Sequence, residues 1–279
     1  MPDPTPSSIG GPPTVGVVIR FRDSAGTLPE VLRCLQAQTR RPDLLVGVDT
    51  GSSDGSAEII RQAGGRVISW SEAYVHPRVL NFGVEHCPAD FILALSSHTA
   101  LDGPDTIERL ADALARDPEL CAVSSPWDGD NYYSCRITWR ELQEKGLKFG
   151  GIYSNSMGMF RRACWGEFPF DPEQRECEDY AWAVAMLRRG YAVGRLRYPF
   201  RHLRQGGTRM DIFAPVAFRL ARRHGLKVAW SGAVGTLRAL VRHGWRWLRS
   251  PAGREQESHF IAAHWTKLRA WSSAAGKRD

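Results

Sequence analysis

The sequence has no apolar run approaching the ~20 residues that cross a bilayer. Its opening, MPDPTPSSIGGPPT, lacks the apolar segment of a secretory signal. Neither a membrane-spanning nor a secreted protein is therefore expected. C-x-x-C pairs are also missing. The six cysteines, Cys34, Cys87, Cys121, Cys135, Cys164 and Cys177, are scattered, which argues against zinc or dithiol chemistry and for a reduced, cytoplasmic compartment. Lysine is scarce, five against 32 arginines, but a GC-rich coding sequence gives the same bias, so it says nothing of function. There is no internal repeat. What is present is globular: 279 residues, 43% hydrophobic and 24% charged, values that exclude a disordered or collagen-like chain. A chain near 300 residues buries about three quarters of its unfolded surface and needs no disulfide or metal to fold.

Charge is divided unevenly. Residues 1–199 hold 21 Lys+Arg against 26 Asp+Glu, whereas residues 200–279 hold 16 against 4 and five of the ten tryptophans. A mildly acidic body and a basic, Trp-rich tail imply two parts with different tasks. In 228–249, Trp230, Val234, Leu237, Val241, Trp245 and Leu248 recur every three or four residues, beside a stripe of Arg238, Arg242, Arg246 and Arg249. This spacing predicts an amphipathic basic helix. Such a helix can lie on an anionic membrane surface, or pack on the body or against a second copy of the chain as a homodimer. No nucleic-acid motif accompanies the charge, so no nucleic-acid partner is expected.

The first fourteen residues contain five prolines and no periodicity, and read as a flexible leader (1–14). From Val15 apolar runs alternate with helical spacing. Strands are expected at 15–21, 44–49, 66–70, 91–96 and 120–125, with helices over 27–38, 55–63, 78–86 and 104–116 between them. Residues 126–150 read as loop, 153–165 as a strand and a helical turn, and 176–193 as a helix ended by Gly190 with a strand after it. Beyond about residue 200 no strand is expected. Alternation of this kind points to an α/β fold whose mainly parallel sheet is covered by helices on both faces. Ligands in such sheets bind beyond the carboxyl ends of the strands, which directs attention to Arg20–Asp23, Asp49–Asp54 and Ser96–Thr99.

Several motifs sit at those ends. VDTGSSDGS (48–56) places a carboxylate at a strand end before a helix start, an arrangement that can hold a base or ribose, or simply cap a turn with Asp54. Gln38-Thr39, Pro42, HPRVLNFGVEHCPADFILALSS (76–97) and EDYAWAVAMLRRGY (178–191) follow at set intervals. Together these stretches resemble the family 2 glycosyltransferases, which have the GT-A fold. The resemblance spans about 15–205 and leaves 206–279 as a helical C-terminal extension. It implies that a sugar moves from a nucleotide-diphosphate donor to the hydroxyl of a glycan or lipid-linked acceptor with inversion at the anomeric carbon. The enzyme would work in the cytoplasm or at the inner face of a membrane.

Carried over residue by residue, the resemblance puts Asp49 on the donor's base, with Gly51 in the same turn and Asp54 supporting the loop. Arg20, Asp23, Arg78, Asn81, Ser96 and Ser97 complete the donor-binding set. Asp23 and Phe21 depart from the family's usual Asn and Thr. Where the family has Asp-x-Asp for its metal, this chain has Ser96-Ser97-His98, as in a subset with Ser-x-His. A neutral imidazole still binds Mn²⁺ or Mg²⁺ when phosphate oxygens complete the shell, although Mg²⁺ prefers oxygen. The resemblance thus implies either a divalent cation held by His98 and His202 or direct contact of these two residues with the diphosphate. Asp179 would be the general base and Glu178 the neighbour that positions it, although two carboxylates opening a helix also satisfy its dipole. A nucleotidyltransferase competes with this reading but would want a better phosphate loop than RFRDSAGT. A non-catalytic sugar-nucleotide-binding or scaffold protein is the alternative that the missing Asp pair suggests.

Overall fold

The computed structural model describes residues 11–126, 130–148, 151–204, 210–229, 240–245 and 247–249, with short helical stretches at 257–258, 261–262 and 265. In chain order the elements are β1 (Val15–Phe21), α1 (Leu28–Gln36), β2 (Leu44–Asp49), α2 (Ser56–Gln62), β3 (Arg66–Ser69) and α3 (His76–Glu85). Next come β4 (Phe91–Ser96), β5 (Thr99–Leu101), α4 (Thr106–Arg116), β6 (Leu120–Ser124), β7 (Arg136–Ile137) and α5 (Trp139–Lys145). The series ends with β8 (Met157–Arg161), α6 (Arg162–Glu167), α7 (Glu178–Arg188), β9 (Ala192–Arg195), β10 (Phe200–His202) and α8 (Met210–His224).

The chain forms two compact units, Met1–Thr138 with Ile152–Gln205, and Trp139–Gly151 with Gly206–Asp279. The first holds an eight-stranded sheet in the order β3-β2-β1-β4-β8-β6-β9-β7. β1 pairs in parallel with β2 and β4, and β2 with β3, while β8 runs antiparallel between β4 and β6. Flanked on both sides, β1 is buried along its whole length, as a central parallel strand should be. Val15, Val17, Ile19 and Phe21 join the core that packs under α1, α2 and α4. Val18 points the other way, to α3: a Cβ added at Gly83 would lie 2.6 Å from Val18 Cγ1 and 2.8 Å from Val48 Cγ2. Only glycine lets α3 lie that close to the sheet. On this second face Phe160 of β8 packs edge to face against Phe170 and against Trp182 of α7. The α/β architecture with helices on both faces is thus as expected.

Four local expectations change. Thr14 is not loose leader: its backbone N–H and its hydroxyl both donate to Asp90 Oδ2, at 2.7 and 2.8 Å. Residues 126–150 are not all loop, since β7 and α5 form there, and Trp139–Gly151 groups with the C-terminal unit rather than with the 15–205 stretch around it. A strand does exist beyond residue 200, because β10 pairs antiparallel with β5. Val228 does not begin a helix but bridges to Leu147. Trp230, Val234 and Leu237 of the expected amphipathic helix lie outside the described residues.

Candidate functional site

The strand order reverses at β1: β2 and β3 lie to one side and β4 to the other. The carboxyl ends of β1 and β4 therefore part into a crevice, the usual ligand position in open α/β sheets. Three loops rim it, and short polar side chains lace them together. Asp23, held at φ +43, accepts the Ser53 backbone N–H at 2.9 Å. Asp54 Oδ2 accepts the Ala25 N–H at 2.8 Å. Ser24 N–H donates to Ser56 Oγ at 2.7 Å, and the Ser24 and Ser97 hydroxyls pair at 3.0 Å. A left-handed non-glycine residue costs of order 1 kcal/mol or more and persists only when its surroundings over-determine it. These cross-loop bonds do so at Asp23.

Within the crevice is a cleft of about 390 Å³ lined by Arg20, Arg22, Arg204, His76 and His98, with Ser96 and Ser97 on its β4 side. Its volume suits a small ligand. Among the described residues no Asp or Glu lines it. A hollow with three guanidiniums and no carboxylate concentrates anions. Arg20 is buried at its base, 9% exposed, and Arg204 Nη2 donates to the Asp23 carbonyl at 3.2 Å at its mouth. Burial, together with the positive charges of Arg204, His202 and Arg20, lowers the His98 pKa. His98 is therefore neutral at pH 7.

A second cluster joins the cleft through Arg20. Arg20 Nη1 lies 2.9 Å from His76 Nδ1, and the same nitrogen lies 2.6 Å from Glu178 Oε1. One ring nitrogen serves one of these at a time: as N–H it donates to the carboxylate, as a bare nitrogen it accepts from Arg20. Burial and Arg20 lower the His76 pKa against the pull of Glu178, so the contact is a hydrogen bond of a neutral ring rather than an ion pair. Asn155 Nδ2 also donates to Glu178 Oε1, at 3.1 Å. Asp179, next in the chain, accepts the Asn155 backbone N–H at 3.0 Å and its neighbour Tyr180's N–H at 2.7 Å. Cys177 precedes the pair at φ +52 and turns the chain so that α7 starts with both carboxylates towards Asn155.

The two carboxylates are driven apart. Burial opposes ionisation of Glu178, but the hydrogen bond from His76 and the charges around it outweigh burial and hold its pKa low. Asp179 is pushed up, by burial first and then by the negative charge of Glu178, against its two backbone donors. Neighbouring acids with opposed shifts are a recurring sign of divided acid–base roles.

Not every residue singled out in the sequence reaches the cleft. Asp49 Oδ1 accepts the Gly51 and Ser52 N–H groups, at 3.1 and 2.9 Å, so it shapes its own turn beside the cleft, with Gly51 at φ +99. Arg78 pairs with Glu173 at 2.5 Å on an exposed surface. Asn81 donates to the Phe170 carbonyl at 2.8 Å and accepts from Trp165 Nε1 at 2.8 Å. Arg78 and Asn81 therefore secure the segment 165–173 to α3 rather than face the cleft, and their expected donor contact is not what the geometry offers. Tyr74, His76, Arg22 and Arg204 line it instead. His76-Pro77 at the head of α3 was the legible signal for one of them; Arg204, two residues beyond His202, offered only its charge.

His98 and His202 do come together. The β5–β10 ladder sets His202 opposite Thr99, whose Oγ1 lies 3.1 Å from His202 Nδ1. The ring centroids of His98 and His202 stand 6.0 Å apart. Two imidazoles on one ion with metal–nitrogen bonds of about 2.1 Å have centroids no more than roughly 6.5 Å apart. At 6.0 Å the pair stands between the separations of neighbouring and opposite ligands, so the two rings would share an ion only after a small shift of one of them. Among the described residues no third His, Cys, Asp or Glu joins them, and Arg20 and Arg204 repel a bare cation. The residues fit an ion that arrives with phosphate oxygens of its own.

The Glycosyl transferase family 2 profile matches residues 16–192. Among curated proteins none matches the sequence. The fold is similar to the mannosyltransferase PcManGT from Pyrobaculum calidifontis, solved with GDP-Man and Mn²⁺, with TM-score 0.66 and 16% identity over 100% of this chain and 90% of that one. It is also similar to glucosyl-3-phosphoglycerate synthase from Mycobacterium tuberculosis, solved with Mn²⁺, UDP and glucosyl-3-phosphoglycerate, with TM-score 0.57 and 18% identity over 77% of this chain and 81% of that one. S. aureus TarS 1–349 matches with TM-score 0.57 and 14% identity over 95% of this chain and 75% of that one. With its mostly parallel sheet, its anion-collecting crevice at β1 and β4 and a family match over most of the first unit, the chain belongs to glycosyl transferase family 2 and is a glycosyltransferase of GT-A fold.

Proposed function

We propose that this enzyme is an inverting transferase whose donor is a nucleotide-diphosphate sugar and whose acceptor is a hydroxyl of a glycan or lipid-linked sugar. The observation that carries the reading is the pairing of a carboxylate-free cationic cleft with adjacent acids of opposed pKa, joined through Arg20 and His76. The diphosphate occupies the cleft against Arg20, Arg22 and Arg204. The acceptor oxygen attacks the anomeric carbon from the side opposite the diphosphate. As the new C–O bond forms, the bond to the diphosphate breaks and its electron pair leaves with the nucleotide. Asp179 takes the acceptor's proton. A carboxylate with a raised pKa is a stronger base near neutral pH, and such help is worth roughly 10²–10⁴ in rate. Glu178, ionised and tied to His76 and Asn155, keeps Asp179 in place and raises its basicity. A divalent cation brought in with the donor would be held by His98 and His202 and would neutralise charge on the departing diphosphate.

The test is transfer, or donor hydrolysis, by wild type and Asp179→Asn with UDP- and GDP-sugars, alongside donor binding by calorimetry. Loss of turnover with donor affinity retained supports the reading. Wild-type turnover in the variant overturns it.

A further inference from the structure

The helical stretch at 240–245 and 247–249 has two unlike faces. One is packed: His243 is 8% exposed with Nδ1 2.5 Å from Glu257 Oε2, and Trp247 Nε1 donates to Ser258 Oγ at 3.1 Å. The other is bare. Val241, Trp245 and Leu248 are 58%, 58% and 65% exposed, and their spacing of four and three places them in one row. Single exposed apolar residues are ordinary, but a row of three large ones marks a surface that meets something. Trp265, in the same unit, is 56% exposed.

The row is flanked by cations. The Arg249 guanidinium stands 5.0 Å over the Trp245 ring, and Arg242 is exposed beside Val241. Residues 240–249, LVRHGWRWLR, contain no acid, and Glu257 is spent on the packed face. We infer that this face docks on an anionic lipid surface, with Val241, Trp245 and Leu248 entering the boundary between headgroups and acyl chains and the arginines meeting lipid phosphates. A second copy of the chain is a poorer occupant, because a two-fold contact sets the same arginines against each other. A nucleic acid would meet the arginines but leave the apolar row in water. Only a surface that is apolar beneath and anionic above satisfies both. The docking needs no feature of the donor cleft.

Full-length protein is sedimented with phosphatidylcholine vesicles, with and without about a quarter phosphatidylglycerol, at low salt and near 0.5 M, where the screening length falls to a few ångströms. Binding is expected to the anionic vesicles, weakly to the neutral ones, and much less at high salt. Trp245→Ser with Leu248→Ser, and separately Arg242→Glu with Arg249→Glu, should each lower partitioning at least tenfold. All four sites are exposed, and circular dichroism and thermal unfolding establish that the variants fold. Equal sedimentation of wild type and both variants overturns the inference. So does a wild-type dimer that Leu248→Ser disperses in the absence of vesicle binding, or binding to an oligonucleotide but not to vesicles.

Discussion

Two basic regions of this protein use the same side chain for opposite ends. At the carboxyl ends of β1 and β4 arginines converge on a hollow and are held in place, Arg20 by its burial and Arg204 on the Asp23 carbonyl. Along 240–249 Arg242 and Arg249 stand exposed beside a bare apolar row. Concave, tethered charge selects a ligand by shape, because orienting its groups costs nothing at the moment of binding. Convex, untethered charge attracts any sufficiently negative surface and leaves selection to the apolar contact. Net charge alone would have assigned both regions the same job.

The comparison breaks most severely at Asp179. Asp179→Asn should lower kcat by about 10²–10⁴ with little change in donor affinity, and should leave vesicle binding untouched. Steady-state kinetics and calorimetry check both. Its pH dependence carries a sign. Protonated Asp179 is inactive as a base and its pKa is raised, so the acid limb of kcat should lie above the ordinary carboxylate range and vanish in the variant. For stability, an acid whose folded pKa exceeds its unfolded one helps the fold least at high pH. Wild type should thus lose stability relative to Asp179→Asn as pH rises from the unfolded carboxylate value through the raised one. Urea unfolding of both proteins across that window measures it.

Arg20→Met should have the next largest effect. It removes a buried charge at the base of the cleft and support for Glu178, and a charge-assisted bond is worth about 1.5–3 kcal/mol. Donor affinity should fall roughly 10- to 100-fold by the same principle, whereas exposed Arg78→Met should change it little. A comparable loss in Arg78→Met would return that residue to the donor site.

His98 sharpens the role of the cation. His98→Ala should lose Mn²⁺ dependence and donor affinity together, and His98→Asp should restore part of each. Because the His98 pKa is lowered, Mn²⁺ affinity should hold as pH falls past the usual histidine range and drop only below it. Activity that survives EDTA, with His98→Asp worse than His98→Ala, would instead mean that the imidazole donates directly to the diphosphate.

The smallest expected effect is at Gly83, on neither basic surface. Gly83→Ala forces a Cβ against Val18 and Val48, and overpacking of this kind costs typically 1–3 kcal/mol. Because α3 carries His76 at its head, the shift should also weaken donor binding slightly. Chemical unfolding and donor titration of the one variant report both, and unchanged unfolding would show that α3 has room to move.

The local pattern was enough to recover β1, β2, β4 and β6, the helices between them and the loops that bear Asp23, Asp54, Ser96 and Ser97. Buried parallel strands must be apolar along their length, helices must be amphipathic, and turns need short polar residues, so each leaves its mark in a few consecutive residues. The E-D pair at the head of α7 was legible for the same reason. The rest depended on distance. β5 and β10 have three residues each, too few for any period to show, yet their ladder brings His202 to His98. Asn81 reads as a donor contact until the fold sets Trp165 and the Phe170 carbonyl on its amide. Glu178 and Asp179 are adjacent and similar in chemistry, and nothing near them in the chain separates their pKa values. His76 does, supplied from α3 to one carboxylate and not the other. The sequence by itself determined which segments could be strands, helices and polar turns. Which charge met which partner was decided by the tertiary structure, because electrostatic energy falls with spatial separation and burial and takes no account of the number of bonds between.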